Sequence, residues 1–376
     1  MQPLHPADPS SLEKHRNRYK VTVYAISKNE ARFAERWMRS MREADIVIVA
    51  DTGSTDNTVS LLREAGAEVR PVQVAPWRFD NARNESLRLV PHDVDICVCT
   101  DLDEVWEEGW RERLEKNWAQ GTTRILYAFT HGLPGQDSPY TWFWKEKIHT
   151  RHGYHWIRPV HEVLEYIGEG EERSIRSDQL RLYHDPDPHK SRSQYLPLLE
   201  QSVREFPEDN RNMHYLGREY MYHGSWEECI ATLERHLAMP QATWEDERSA
   251  SIRYISRAYV ANQQWQEATR WLHRAIAEAP HLREPYTEMA QLAYRNRNWP
   301  AVYHMVEEAL RITTRPDTYM QEHFCWDATL YDLGALPCYE LGLLRQACDF
   351  AREAVERSPE DSRLSHNYML IQSRLP

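Results

Sequence analysis

Apolar residues recur along this chain with two different periods, and the change of period divides it. Between Tyr19 and about Arg192, short β-branched runs alternate with amphipathic stretches. Residues 21–26, 46–50, 68–73 and 96–100 predict strands, and residues 30–42, 55–65 and 80–89 predict the helices between them. In the first of these helices Phe33, Trp37 and Met41 share one face. Strands separated by helices of this length predict right-handed crossovers and a largely parallel sheet. The run 96–100 is apolar throughout, as suits a strand buried on both faces, and then breaks into two carboxylates, Asp101 and Asp103.

After Pro197 the pattern is helical and self-similar. Leu216, Gly217 and Tyr220 with Trp226 and Pro240 form one unit, and Ser256 and Tyr259 with Trp265, Ala268 and Pro280 repeat it. Ala293 and Tyr294 with Trp299 and Ala309 form a third unit, residues 341–359 a looser fourth, and residues 313–334 an insertion. Small residues at helix crossings, an aromatic at the turn and a closing proline match the tetratricopeptide pattern. The expected organisation is a polar tail over residues 1–18, an α/β domain over 19–195 and an all-α helical repeat domain over 196–376.

With 376 residues the chain is long enough for two domains. It has no apolar run of about 18 residues, and its first 20 residues are polar, so a soluble, cytoplasmic protein without a membrane contact is expected. The six cysteines are scattered. Cys97 and Cys99 fall on one face of a strand with no second pair to complete a zinc site, so reduced core thiols are expected. Residues 1–195 hold 27 Lys and Arg against 31 Asp and Glu, and the remainder 19 against 27. Neither half is a basic nucleic-acid surface by bulk charge.

Four segments line up as one site at the carboxyl edge of the expected sheet, where open α/β sheets bind ligands. Strand one ends in Ser27, Asn29 and Glu30, and strand two in Asp51, followed by Gly53, Thr55 and Asp56. The third helix opens with Asp80, Arg83 and Asn84, and the fourth strand ends in Asp101, Leu102 and Asp103. Asp51 can accept a hydrogen bond from a uracil or guanine ring N–H, and Thr55 or Asp56 can cap the next helix. The Arg83 fork suits a phosphate and Asn84 a ribose or sugar hydroxyl. Asp101 and Asp103 can hold a hard divalent cation against a diphosphate.

Asp-Thr-Gly-Ser-Thr-Asp-Asn-Thr (51–58), Ala-Arg-Asn (82–84) and Thr-Asp-Leu-Asp-Glu (100–104) resemble the family-2 glycosyltransferases of the GT-A fold. Followed by tetratricopeptide-like helices, they resemble the subgroup containing bacteriocin peptide S-glycosyltransferases. The resemblance implies a Rossmann-like, mostly parallel sheet and inverting transfer from a nucleotide-diphospho-sugar, with UDP the expected nucleotide. It implies that Asp51 contacts the base, Asp101 the ribose or sugar, and Asp103 a Mn²⁺ or Mg²⁺ bridging the diphosphate. His184, where the chain leaves the sheet domain, is the candidate further metal ligand. Glu162 is the candidate base, with His161 either a phosphate contact or the base itself.

The aromatic residues Tyr140, Trp142, Trp144, Tyr154 and Trp156 interleave with Lys145, Lys147, His149, Arg151 and Arg158. Trp142, Trp144, Trp156 and Arg158 are candidates for the acceptor or sugar subsite. The expected acceptor is a peptide, protein or glycan recruited by the repeats, and a homodimer is a further expectation. Two alternatives remain: transfer to a modified DNA base, and an inactive scaffold whose repeats bind a protein.

Overall fold

The computed structural model describes residues 19–133, 142–187, 193–316 and 318–375. The expected tail over residues 1–18 lies outside them, as does Tyr140. The chain divides into two compact units, Met1–Ser191 and Arg192–Pro376.

The first unit is built on β1 (Val21–Ser27), α1 (Ala31–Met41), β2 (Ile46–Asp51), α2 (Thr58–Glu64), β3 (Glu68–Pro71), α3 (Phe79–Leu89) and β4 (Ile96–Cys99). There follow β5 (Glu104–Trp106), α4 (Trp110–Asn117), β6 (Arg124–His131), β7 (Trp142–Thr150), β8 (Tyr154–Ile157), β9 (Val163–Tyr166) and β10 (Ser174–His184). The main sheet runs β3-β2-β1-β4-β7-β6-β10-β5. Pairings β3–β2, β2–β1 and β1–β4 are parallel. β7 then enters antiparallel between β4 and β6, and β5 pairs antiparallel with β10. β6 and β10 pair parallel, so the main sheet is mixed but parallel in four of its seven pairings, as expected. The chain winds outward from β1 to β3 and then returns to place β4 on the other side of β1. That reversal opens a crevice at the carboxyl ends of β1 and β4.

The core follows the sequence pattern. Phe33, Ala34, Trp37, Met38 and Met41 of α1 pack against Val21, Val23, Val47, Val49 and Val98. On the other face Tyr24, Cys97, Cys99 and Trp156 share a second cluster, and both cysteines are free thiols.

The second unit comprises α5 (Tyr195–Glu205), then the pairs α6/α7 (Asn210–Tyr222, Trp226–Ala238), α8/α9 (Glu245–Ala261, Trp265–Glu278), α10/α11 (Glu284–Arg295, Trp299–Arg311) and α12/α13 (Thr329–Glu340, Leu344–Arg357), and α14 (Ser362–Gln372). The first helix of each pair ends in a left-handed residue: Gly224, Gln263, Arg297 and Gly342. In each turn that residue's N–H and the next one bond back to the helix, Gly224 to the Met221 carbonyl and Ser225 to the Tyr220 carbonyl, with equivalents in the other three. This is the Schellman geometry, repeated four times. Gly217 lets α6 and α7 approach, since a Cβ there would lie 2.3 Å from Leu233. The four left-handed positions lie 39, 34 and 45 residues apart. The longest interval contains residues 312–328 between α11 and α12, matching the start of the expected insertion.

Candidate functional site

The crevice at the ends of β1, β2 and β4 gathers most of the residues singled out by sequence, but it uses them differently from the expectation. Asp51 ends β2 and is buried. One of its oxygens accepts from the Ser27 hydroxyl (2.9 Å) and the Ser54 hydroxyl (2.5 Å), the other from the Gly53 and Ser54 amides (3.1 and 3.0 Å). A carboxylate has about four lone-pair directions, and the turn takes all of them. Asp51 thus shapes its own loop, and a base N–H could bond to it only by displacing one hydroxyl.

The first two strand-end loops are zipped together by the same segment. The Asn29 side chain accepts from the Thr55 amide (2.7 Å), and the Asn29 amide donates to the Ser54 hydroxyl. The Glu30 amide donates to the Thr58 hydroxyl. Asp56 takes the Thr58 N–H, leaving Thr55 out of the capping role. Asp80 is held bidentately by Arg78 and accepts from the Asn81 amide, so it fixes the start of α3.

Packing engages three of the expected residues within the fold. Trp156 is 3% exposed and donates its indole N–H to the Tyr24 hydroxyl, so its ring belongs to the core and offers no face to an acceptor. Asn84 both donates to the Trp156 carbonyl and accepts from the Trp156 amide, each at 2.8 Å, which pins β8 to α3. The Leu102 side chain turns into the apolar core between the two acidic residues.

Arg83 is the pivot of the site. It is buried, and its fork reaches Glu162 and Asp101 (2.7 Å), with Cys99 Sγ at 3.3 Å. Expected at a phosphate, it instead joins two carboxylates. The second Asp101 oxygen accepts from Lys147 Nζ (2.8 Å), which also reaches Glu104 at 3.3 Å. Glu104 in turn accepts from the Asp101 amide. Glu104, Lys147, Asp101, Arg83 and Glu162 therefore form an unbroken chain of alternating charge.

The electrostatics follow from that order. Burial works against ionisation of Asp101, but the charges of Arg83 and then Lys147 outweigh it and hold the carboxyl well below the usual range. Burial likewise opposes ionisation of Glu162, yet Arg83 keeps it low. At Glu104 burial wins over Lys147, and the carboxyl is raised. Glu104 closes the 100–104 motif and Lys147 belongs to the aromatic and basic segment, but neither had an assigned role from sequence. The available signal was Glu104 directly after the acidic pair, whereas nothing local separates Lys147 from Lys145 two positions earlier on β7.

Asp103 lies on the other side of the pair. Its Oδ2 is 3.3 Å from His184 Nε2 at the end of β10, and the far His184 nitrogen lies 3.4 Å from Nδ1 of His131. Burial opposes protonation of His184, but Asp103 outweighs it and raises the imidazole above its usual value. Among the described residues no group of three or more metal-ligating side chains gathers. One carboxylate and one imidazole fit a cation that takes its remaining ligands from a diphosphate and water, and the mixed oxygen and nitrogen set suits Mn²⁺ better than all-oxygen Mg²⁺.

The loop before Glu162 is strained. Arg158 and His161 both adopt left-handed backbone, at φ 85° and 50°. Such conformations cost roughly 1–3 kcal/mol where glycine is absent and cluster at functional sites. The Pro159 carbonyl accepts from the Phe79 amide, tying this loop to the start of α3. Trp142 and Trp144 stand half-buried on β7, edge to face at 5.4 Å, with the Arg176 guanidinium 5.9 Å over the Trp144 ring.

Comparison with known proteins agrees with this geometry for the sheet unit. Residues 22–184 match the family described as Glycosyl transferase family 2. No curated protein matches the chain. Among solved structures, the crystal structure of MamA is 15% identical, covering 46% of this chain and 91% of its own, with a TM-score of 0.36. YrrB, described as a TPR protein with an unusual peptide-binding site, is 11% identical over 46% of this chain and 82% of its own, with a TM-score of 0.38. No helix among the described residues is long and apolar enough to cross a membrane. Residues 22–184 are thus similar to glycosyl transferase family 2, a match that covers less than half of the chain, and an all-α repeat unit follows them.

Proposed function

We propose that the protein is a metal-dependent, inverting glycosyltransferase that moves a sugar from a nucleotide-diphospho-sugar, UDP-linked, to a hydroxyl or thiol of a peptide, protein or glycan. The observation that carries this reading is the joining of Asp101 and Glu162 through one buried guanidinium at the mouth of β1 and β4. Asp101 faces the donor, Glu162 faces the acceptor, and Arg83 sets the distance between them.

Each residue has a chemical task. Glu162, kept ionised by Arg83, takes the proton from the acceptor as that nucleophile attacks the anomeric carbon from the side opposite the leaving diphosphate. The carbon–oxygen bond to the diphosphate breaks with inversion, and the electron pair leaves with the nucleoside diphosphate. Asp101, fixed by Arg83 and Lys147, orients the ribose or sugar hydroxyls. Asp103 and His184 would hold the cation, which supplies Lewis-acid neutralisation of the departing diphosphate. Trp142 and Trp144 offer aromatic faces to the sugar or acceptor.

The test combines binding and turnover. Wild-type protein incubated with Mn²⁺ and UDP-, GDP- or TDP-sugars should release nucleoside diphosphate from the UDP-sugar preferentially. Glu162→Gln should bind UDP in calorimetry as the wild type does and release none. Turnover retained by that variant would refute the assignment of the base. Absence of Mn²⁺-dependent UDP binding in the wild type would favour a scaffold.

A further inference from the structure

The repeat unit carries its own occupant on one helix face. Residues 318–326, part of the segment between α11 and α12, lie across the first helices of two successive pairs, α8 and α10. The Tyr319 hydroxyl donates to Glu247 of α8 (3.3 Å), and its ring packs on Trp244 at 5.3 Å. Met320 is buried in one cluster with Tyr254, Ile255 and Ala258. Its carbonyl accepts from Arg253 (3.4 Å). Glu322 accepts from Arg257 (2.7 Å) and Arg253 (3.4 Å), while its amide donates to Glu284 of α10 (3.1 Å). The Cys325 carbonyl accepts from Arg283, whose guanidinium also lies 3.9 Å over the Trp326 ring.

The charges explain why the segment fits. Arg253 is fully buried, and Arg253 and Arg257 both bond the same carboxylate of Glu288. Two guanidiniums share the Glu288 carboxylate, burial shifts the neighbouring Glu284 carboxyl toward its neutral form, and Glu322 supplies the second carboxylate. An apolar recess for Met320 lies two positions before it. Beside them a cavity of about 370 Å³, bounded by Arg257, Gln291, Leu292, Arg295 and Phe324, leaves room to extend the contact.

We propose that the α8–α10 face is a peptide-recognition site whose resident ligand in cis is the segment 318–326. The partner it fits is a polypeptide segment with an apolar side chain two positions before a carboxylate, which enters as the resident leaves. Neither the donor site nor the transfer reaction enters this inference. A tethered resident acts at an effective concentration of roughly millimolar, so an external segment competes only when it binds well or when the resident is weakened.

The experiment uses the full chain and a labelled nonapeptide with the sequence of residues 318–326. Wild-type protein should bind it poorly. A variant carrying Tyr319→Ala, Met320→Ala and Glu322→Ala should bind it about a hundredfold more tightly. Replacing the peptide's own Met320 or Glu322 equivalent by Ala should weaken binding by about tenfold or more. Adding Arg257→Ala to the variant should abolish it. A folded variant, judged by its far-ultraviolet circular dichroism, that binds no peptide would overturn the proposal. Should the variant unfold, hydrogen exchange of the wild type decides. Amides of 318–326 opening at lower free energy than α8 and α10 support the proposal, and opening only together with those helices overturns it.

Discussion

Replacing Lys147 with Met keeps the aliphatic stem and deletes one charge from the middle of the relay. The two contacts it loses are unequal. Asp101 is 34% exposed and retains Arg83, so solvent and the guanidinium screen its loss. The Glu104 side chain is 2% exposed, and beyond Lys147 it accepts only from the Asp101 amide among its described hydrogen bonds. Removing one partner of a buried pair costs about 3–5 kcal/mol. Glu104 can relieve that cost by taking a proton, because burial already raises its carboxyl and the loss of Lys147 raises it further. A carboxyl with a raised folded pKa holds more protons folded than unfolded, so its contribution falls as pH rises between the two values. The penalty of Lys147→Met should therefore be largest near pH 8 and shrink toward pH 5. Glu104→Gln added to it should restore most of the loss. Native-state hydrogen exchange of the β4 and β7 amides measures this within the sheet unit alone, unaffected by unfolding of the repeats. A penalty that does not change with pH, or that survives in the double variant, would refute the relay.

Other consequences follow from burial and backbone geometry. His149 accepts from the Tyr24 hydroxyl at Nε2 and donates from Nδ1 to the Thr150 carbonyl, and burial lowers its pKa to about 3. It should stay neutral in imidazole nitrogen spectra far below pH 6, and the sheet unit should lose up to about 1.4 kcal/mol per pH unit between 6.5 and 3; a midpoint near 6.5 would contradict this. Gln263 occupies a left-handed turn position filled by glycine at 224 and 342. Gln263→Gly should stabilise the repeats by up to about 1 kcal/mol, and Gly342→Ala should cost a similar amount, both read from the calorimetric transition. Gly217→Ala places a Cβ 2.3 Å from Leu233 and should cost about 1–3 kcal/mol in the same measurement.

The local pattern of this chain was enough to specify its elements and the edge of the sheet where chemistry gathers. Strand ends at Ser27, Asp51 and Cys99 follow from apolar runs, because a strand buried on both faces must stop where its side chains turn polar. The first three repeat turns were legible for the same reason, since a tryptophan opens the helix after each, at Trp226, Trp265 and Trp299, while the fourth leads into Leu344 and is the looser copy. The partners of the polar side chains were not legible. Arg83 meets Glu162 across 79 positions, Asn84 meets Trp156 across 72, and Lys147 meets Asp101 across 46. No periodicity encodes such meetings, because they depend on the antiparallel entry of β7 beside β4 and on the loop that returns β8 to α3. Burial and pairing then separate residues of the same type. A saturated Asp51 builds a turn, while Asp101, bridged by two cations, and Asp103, paired with an imidazole, face the crevice. Residue identity specified which groups could do chemistry, and only the tertiary structure decided which still had lone pairs or protons to do it with.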